Sequence, residues 1–266
     1  MKRIVWLTDI HLNFLLARQV DDFLRSVAAE RPDAVLIGGD IAESHNVCEY
    51  LSEIERGLPA PIYFVLGNHD YYHGSVADTR RRVAALCERY PRLHFLTCDE
   101  VHSLTEHVGL VGHDGWADGR LGDYARSLVV MHDSKLIADL VSLGKEARWK
   151  VIKALGDEAG DHFRRLLPLA FARFRDVILL THVPPFRQAC WHEGQISDDQ
   201  WAPHFTCQAV GQAIVEFMID RPQNKITVLC GHTHGSGETH PLPNVQVITG
   251  GAEYGNPTVT RVLELD

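Results

Sequence analysis

No apolar run in this 266-residue sequence comes near the roughly 18 residues of a membrane-spanning helix. The N-terminal MKRIVWLTDI offers an apolar stretch of only four residues before an aspartate, so no signal peptide is expected. Its six cysteines (Cys48, Cys87, Cys98, Cys190, Cys207, Cys230) form no Cys-x-x-Cys pair, and a chain this long does not need disulfide staples. Basic residues are in deficit: 26 Lys and Arg against 35 Asp and Glu leave a net charge of −9, with no Lys/Arg-rich stripe, which argues against a protein that grips nucleic acid by its phosphates. Internal repeats, low-complexity tracts and linkers are also missing. A soluble, reduced, cytoplasmic protein with no membrane role is the expectation, and oligomeric state is left open.

What is present in excess is histidine, sixteen in all, which points towards metals or proton transfer. With 45% hydrophobic residues there is material for a substantial core. Short β-branched runs recur at 3–7, 34–38, 62–66, 93–97, 108–112, 177–181, 226–230, 245–249 and 258–265, mostly continuous rather than alternating, as in strands buried on both faces. Helical spacing falls between them: Leu16, Val20, Phe23, Leu24 and Val27 within 15–30, a segment opened by Ser75 with Asp78 three residues on, and 208–220, stopped by Arg221-Pro222. Alternating strands and helices predict an α/β fold over residues 1–266. Residues 115–175 break the rhythm and predict a helical insert or cap over that single domain.

The strand ends carry the chemistry. Asp9 and His11 follow the first run, Asp40 the second, Asn68 and His69 the third, His182 the run at 177–181, and His232 and His234 the run at 226–230. Ligands of open α/β sheets bind at the carboxyl ends of strands. Taken singly, Asp9 and Asp40 are equally good helix caps and Asn68 an equally good turn residue. Jointly, five strands ending in Asp, Asn or His on one edge are not explained by turns. Carboxylate, amide oxygen and imidazole without thiolate suit Mn2+, Fe or Zn2+, and seven candidate ligands exceed the three or four protein ligands of one open ion, so two ions sharing a carboxylate are expected.

The ordered blocks Asp9-x-His11, Gly39-Asp40-x-x-Glu43, Gly67-Asn68-His69-Asp70, His182 and Gly231-His232-x-His234 resemble the calcineurin-like metallophosphoesterase superfamily. That resemblance implies a four-layer α/β/β/α sandwich of two mixed β-sheets. It implies that Asp9, His11 and His234 hold one ion, Asn68, His182 and His232 the other, and that Asp40 bridges them. It makes His69 the non-ligand histidine that contacts phosphate and protonates the leaving oxygen, with Glu43 as the acid paired to it. The implied reaction is hydrolysis of a phosphate ester, monoester or diester, by a metal-bridging hydroxide. A small soluble phosphorylated substrate is expected, and a scaffold of the same fold without catalysis is the competing class. Asp70 is expected to orient the loop. Arg187, and His113 and Asp114 in the VGHDGW stretch with Trp116, are candidate substrate contacts, against their plainer uses as a loop arginine and turn formers.

Overall fold

Strands that are apolar at every position must be covered on both sides. The structure, a computed structural model describing residues 1–98 and 101–266, covers them by stacking two sheets. The chain begins with β1 (Lys2–Leu7), α1 (Ala17–Ala29), β2 (Ala34–Gly38), α2 (Val47–Gly57), β3 (Ile62–Val65), α3 (Val76–Cys87) and β4 (Leu93–Phe95). It continues through β5 (His102–Ser103), β6 (Val108–His113), α4 (Asp133–Leu136), α5 (Lys145–Phe171) and β7 (Asp176–Thr181). The last third holds β8 (Trp191–His192), β9 (Gln195–Ile196), α6 (Ala202–Phe205), α7 (Gln208–Met218), β10 (Lys225–Cys230), β11 (Gly237–Leu242), β12 (Val245–Thr249) and β13 (Arg261–Leu265).

One sheet runs β13-β1-β2-β3-β4 with β13 antiparallel to an otherwise parallel set. The other runs β11-β12-β10-β7-β6-β5, parallel at its centre and antiparallel at both edges. Successive residues of a strand face opposite ways, and each strand splits its side chains accordingly. Val5, Leu7, Val35 and Ile37 pack under α1, α2 and α3, while Ile4, Trp6 and Leu36 meet Leu110, Ile178, Leu180 and Leu229 of the second sheet. On the far side of that sheet Val111, Val177, Leu179 and Val228 pack under α5 and α7. Three apolar seams between helices, sheet, sheet and helices give the four-layer α/β/β/α sandwich of two mixed sheets.

Sequence periodicity located α1, α3 and α7. Ser75 Oγ accepts from the Asp78 N–H at 3.3 Å and opens α3 as expected. The short β5, β8, β9 and α6 escaped it, as did α2 and β11, the latter an edge strand whose Pro241 and half-exposed pattern give no apolar run.

The stretch 115–175 divides in two and is corrected accordingly. Its long helix α5 is no cap. The parallel pair β6 and β7 needs a crossover connection, and α5 provides it by burying Ala159, Phe163, Leu166 and Ala170 against the second sheet and α7. Residues 115–144, irregular apart from α4, instead lie along the carboxyl edge of the sheets.

Register fixes that edge. Leu7 pairs with Ile37 and Gly38 with Val65, so the residues after β1, β2 and β3 emerge side by side. In the second sheet Leu180 pairs with Leu229, so those after β7 and β10 do the same. Backbone bonds continue past the strand ends: Asp9 N to Gly39 O at 3.0 Å, His11 N to Asp40 O at 2.9 Å and Gly231 N to His182 O at 2.9 Å.

Candidate metal centre

Beyond those bonds the chain turns sharply. Asp9, His11, Asp40, His232 and His234 all adopt the left-handed region, with φ between 40° and 70°. For residues with a Cβ such conformations cost on the order of 1–3 kcal/mol each and persist where the surroundings dictate them. Asp70 supplies part of that dictation. Its buried carboxylate accepts from the N–H groups of Ile41 at 3.0 Å, Ala42 at 2.7 Å and Gly67 at 2.8 Å, clamping the Asp40 loop to the Asn68 loop. Two glycines leave the room. A Cβ on Gly67 would overlap Asp40 Oδ1 and stand 2.7 Å from His182 Cε1, and one on Gly231 would overlap Asp9 Oδ2.

The side chains meet in two adjoining groups. In the first, Asp9, His11, Asp40 and His234 each present one donor atom, all within 4.8 Å of one another. His234 Nε2 lies 3.5 Å from Asp9 Oδ1, and His11 Nε2 3.7 Å from Asp40 Oδ2. In the second, Asn68 Oδ1 lies 3.1 Å from His182 Nε2 and 2.9 Å from His232 Nδ1, with His182 Nε2 also 3.4 Å from Asp40 Oδ1. Asp40 thus turns one oxygen to each group. The remaining nitrogens of the second pair are anchored: His182 Nδ1 on Gly38 O at 2.8 Å, His232 Nε2 on His204 O at 2.9 Å. A carbonyl can only accept, so each imidazole keeps its free lone pair for the cluster.

Burial pushes His11 and His232 down to about 4. It also opposes charge on His182 and His234, but the Asp40 and Asp9 carboxylates beside them lift both imidazoles above their ordinary values. Despite their own burial, Asp9 and Asp40 are held below the usual carboxylate range, Asp9 by His234 and His182, Asp40 by His182, His69 and His11. Among the described residues no Lys or Arg touches either carboxylate. Two buried anions countered only by imidazoles, with lone pairs converging, are the donor set a pair of cations requires, and the residues fit it.

His69 lies on the rim. Its N–H donates to Asp40 Oδ1 at 2.9 Å and its ring packs on Tyr72, with centroids 4.3 Å apart. The expected pairing with Glu43 is not what the structure shows. The Glu43 carboxylate sits 3.7 Å from His45 Nδ1 and 3.8 Å from His73 Nε2, and the carboxylate facing His69 is Asp40, 4.0 Å from Nε2. Three further expectations are corrected. Asp114 is fully buried, accepting from Leu66 N, Thr97 Oγ1, Tyr71 OH at 2.5 Å and Arg80 Nε at 2.8 Å; it braces the β3 exit rather than substrate. Burial works against its ionisation, yet Arg80 holds it below the usual range. His113 faces Glu158 and His162 under α5, and Arg187 pairs with Asp199 at 2.7 Å beside a separate groove. Trp116 is buried against Tyr71.

Other neighbours carried no signal in the sequence. Asp133 Oδ1 accepts from Asn68 Nδ2 and from Tyr72 OH, both at 2.9 Å. Tyr254 stacks near His11 and His234, with centroids 4.6 and 4.8 Å away, and Phe14 packs on Tyr254 at 5.1 Å. Neither Asp133 nor Tyr254 ends a strand, so no pattern marked them.

Comparison with known proteins bears on the family and the fold. Among curated proteins, an uncharacterized metallophosphoesterase of Campylobacter jejuni, Cj0846, is 36% identical over 86 residues, which span 30% of this chain and 23% of that protein. The match therefore covers under a quarter of that relative's length. The fold is similar to the phosphopantetheinyl hydrolase PptH of Mycobacterium tuberculosis, with a TM-score of 0.64 and 16% identity over 93% of this chain and 89% of that one. It is also similar to a dimetal phosphatase from Danio rerio, with a TM-score of 0.58 and 17% identity over 96% and 89%. A family profile for calcineurin-like phosphoesterases matches residues 2–236, and with it the seven converging side chains, so this chain belongs to the calcineurin-like phosphoesterase family.

Proposed function

We propose that this protein hydrolyses a small soluble phosphate ester, a monoester in the first instance, with two metal ions (Mn, Fe or Zn) as cofactors. Asp9, His11 and His234 would hold one ion, Asn68, His182 and His232 the other, with Asp40 shared. The observation that carries this is the split of Asp40, whose Oδ2 faces His11 and whose Oδ1 faces His182. Cations bound there would polarise the phosphoryl oxygens and acidify a water molecule near neutral pH.

The chain's own residues do the rest. His182 and His232 present fixed lone pairs because Gly38 and His204 carbonyls hold their other nitrogens, so the site is organised before substrate arrives. His69 stands at the rim, where the departing oxygen would emerge once water has added to phosphorus and the ester P–O bond breaks; its imidazolium can give that oxygen a proton. The carboxylate nearest its Nε2 is that of Asp40, at 4.0 Å, since Glu43 faces His45 and His73. No helix among the described residues is long and apolar enough to cross a membrane, and a cytoplasmic setting and a non-nucleic-acid substrate remain part of this proposal.

The test is metal analysis of purified protein together with turnover of p-nitrophenyl phosphate and its bis ester under Mn2+, Zn2+ or Fe. Two ions per chain and turnover are expected, both lost in Asp40→Asn. Absence of turnover with either ester under all three metals would leave a silent scaffold, and full rate with both ions retained in Asp40→Asn would remove the shared-carboxylate assignment.

A further inference from the structure

An open cleft of about 650 Å³ runs from His69 and Tyr72 between two walls. One wall is the strap Leu128–Met131, the other Trp201 and Tyr254. Leu128 is 88% exposed, Val130 63% and Tyr254 49%; these are three of the ten large apolar side chains left exposed among the described residues, all three line this one opening, and a fourth, Phe14, packs on Tyr254. Isolated apolar side chains on a surface mean little, but a cluster bordering a polar site marks a binding groove.

These walls are held in place. Leu128 N donates to Gln200 Oε1 at 2.9 Å, and Ser127 Oγ donates to Gln200 O at 2.8 Å. At its other end the strap leads into Asp133, which accepts from Asn68 Nδ2. Trp201 stacks on Phe205 with centroids 5.2 Å apart and on His192 at 4.8 Å. The apolar surface is therefore fixed relative to the metal ligand Asn68.

Charge along the cleft is sparse. Besides His69 its titratable groups are His132, Asp198 and the tyrosines, with no Lys or Arg among the described lining residues. Two cations close to the strap, Lys145 and Arg148, are engaged with backbone carbonyls. Lys145 Nζ donates to Ala125 O at 3.0 Å and Ser127 O at 2.7 Å, and Arg148 Nη2 donates to Leu143 O at 2.8 Å. A second phosphate, or a polyanion, would find no partner here and would meet the Asp198 carboxylate.

We infer that the substrate is a phosphate monoester whose leaving group is an uncharged apolar chain or ring lying along Leu128, Val130 and Trp201. This rests on the phosphoesterase reading above, since continuity with His69 is what makes the cleft's occupant the group attached to phosphorus. Hydrolysis would break the P–O bond to that group, release it as the free alcohol with a proton from His69, and leave inorganic phosphate.

The experiment is kcat/KM of the Mn2+-loaded protein for n-alkyl phosphates from ethyl to octyl, whose leaving groups have near-equal basicity, with glucose 6-phosphate and AMP alongside. A methylene fully removed from water is worth about fourfold, so a one-sided cleft should give about twofold per methylene over the first few carbons. Leu128→Asp and Val130→Asp should flatten that slope. Leu169→Asp, at an exposed apolar site on α5, should keep it. A flat series with continued turnover, or AMP and glucose 6-phosphate exceeding the hexyl ester, would overturn the substrate class while leaving the hydrolase intact. A flat series together with sedimentation on phosphatidylcholine vesicles would reassign the patch to a lipid surface and overturn it equally. No turnover of any ester, p-nitrophenyl phosphate included, would sink the hydrolase reading itself.

Discussion

Asp133 offers a sharp test of how the second group of ligands is built. It lies 65 residues from Asn68 and reaches it from the first residue of α4. Asn68 can turn either its oxygen or its nitrogen towards the cluster, and the two orientations have nearly the same shape. The carboxylate at 2.9 Å from Nδ2 can only accept, so it selects the orientation with Oδ1 inward. Tyr72 OH, also at 2.9 Å, keeps Asp133 from turning away. A hydrogen bond to a charged group contributes about 1.5–3 kcal/mol, and outer partners of metal ligands typically govern about 10- to 100-fold in affinity. The two scales agree. Asp133→Ala should therefore weaken one of two metal sites by about 10- to 100-fold and leave the other within the error of the titration. Competition against a chromophoric chelator, with metal counted per chain, reads both sites separately. Asp133→Asn, which keeps a neutral acceptor, should fall between wild type and Ala. Asp139→Ala is the control: Asp139 lies in the same segment but accepts from Val76 N. Equal weakening of both sites, or of neither, would refute a role exerted through Asn68.

Four other outcomes are expected. Gly67→Ala places a Cβ onto Asp40 Oδ1 and 2.6 Å from Asp40 N, so metal binding should fail while the fold survives by circular dichroism; two tightly held ions in this variant would show that the loops yield more than their bonding suggests. His69→Ala should lose about 10²–10⁴-fold on alkyl phosphates and far less on p-nitrophenyl phosphate, whose leaving group needs no proton, and equal losses would argue against proton donation. In the same assay Glu43→Gln should leave turnover unchanged, because Glu43 faces His45 and His73; a loss matching that of His69→Ala would restore the pairing with His69. Burial lowers His162 to about 3, so it stays neutral in the folded chain while the unfolded chain gains a proton below about 6.5. Its contribution is therefore complete above pH 6.5 and lost as pH falls towards 3, at up to about 1.4 kcal/mol per unit. Denaturant unfolding between pH 6.5 and 5 should show a shallower slope for His162→Phe, and identical slopes would dismiss the effect.

The strands and the seven side chains that end them were legible because both are local. A doubly buried strand must be apolar at each position, and a ligand at its carboxyl end must be the next few residues, so IVWLT-Asp9 or ITVLCG-His232 announces itself without any partner in view. Asp114 and His113 follow the same local pattern and misled for that reason. Nothing within VGHDGW tells whether the carboxylate faces a cleft or, as it does, Arg80 and Tyr71 from another helix and loop. Glu43 failed similarly, since its four-residue spacing from Gly39 fixes where it sits along the loop and not which imidazole it faces.

By itself the sequence determined the α/β class, the number of strand ends that carry donors, and the kinds of donor each supplies, since these follow from the order of apolar and polar residues along short segments. Only the tertiary structure decided that Asp133 orients Asn68, that Tyr254 and the Leu128–Met131 strap frame the opening, and that α5 is a structural layer rather than a roof. Those contacts join residues far apart through irregular segments, where no repeat distance links side chains and only the packing of the two sheets sets which loops meet.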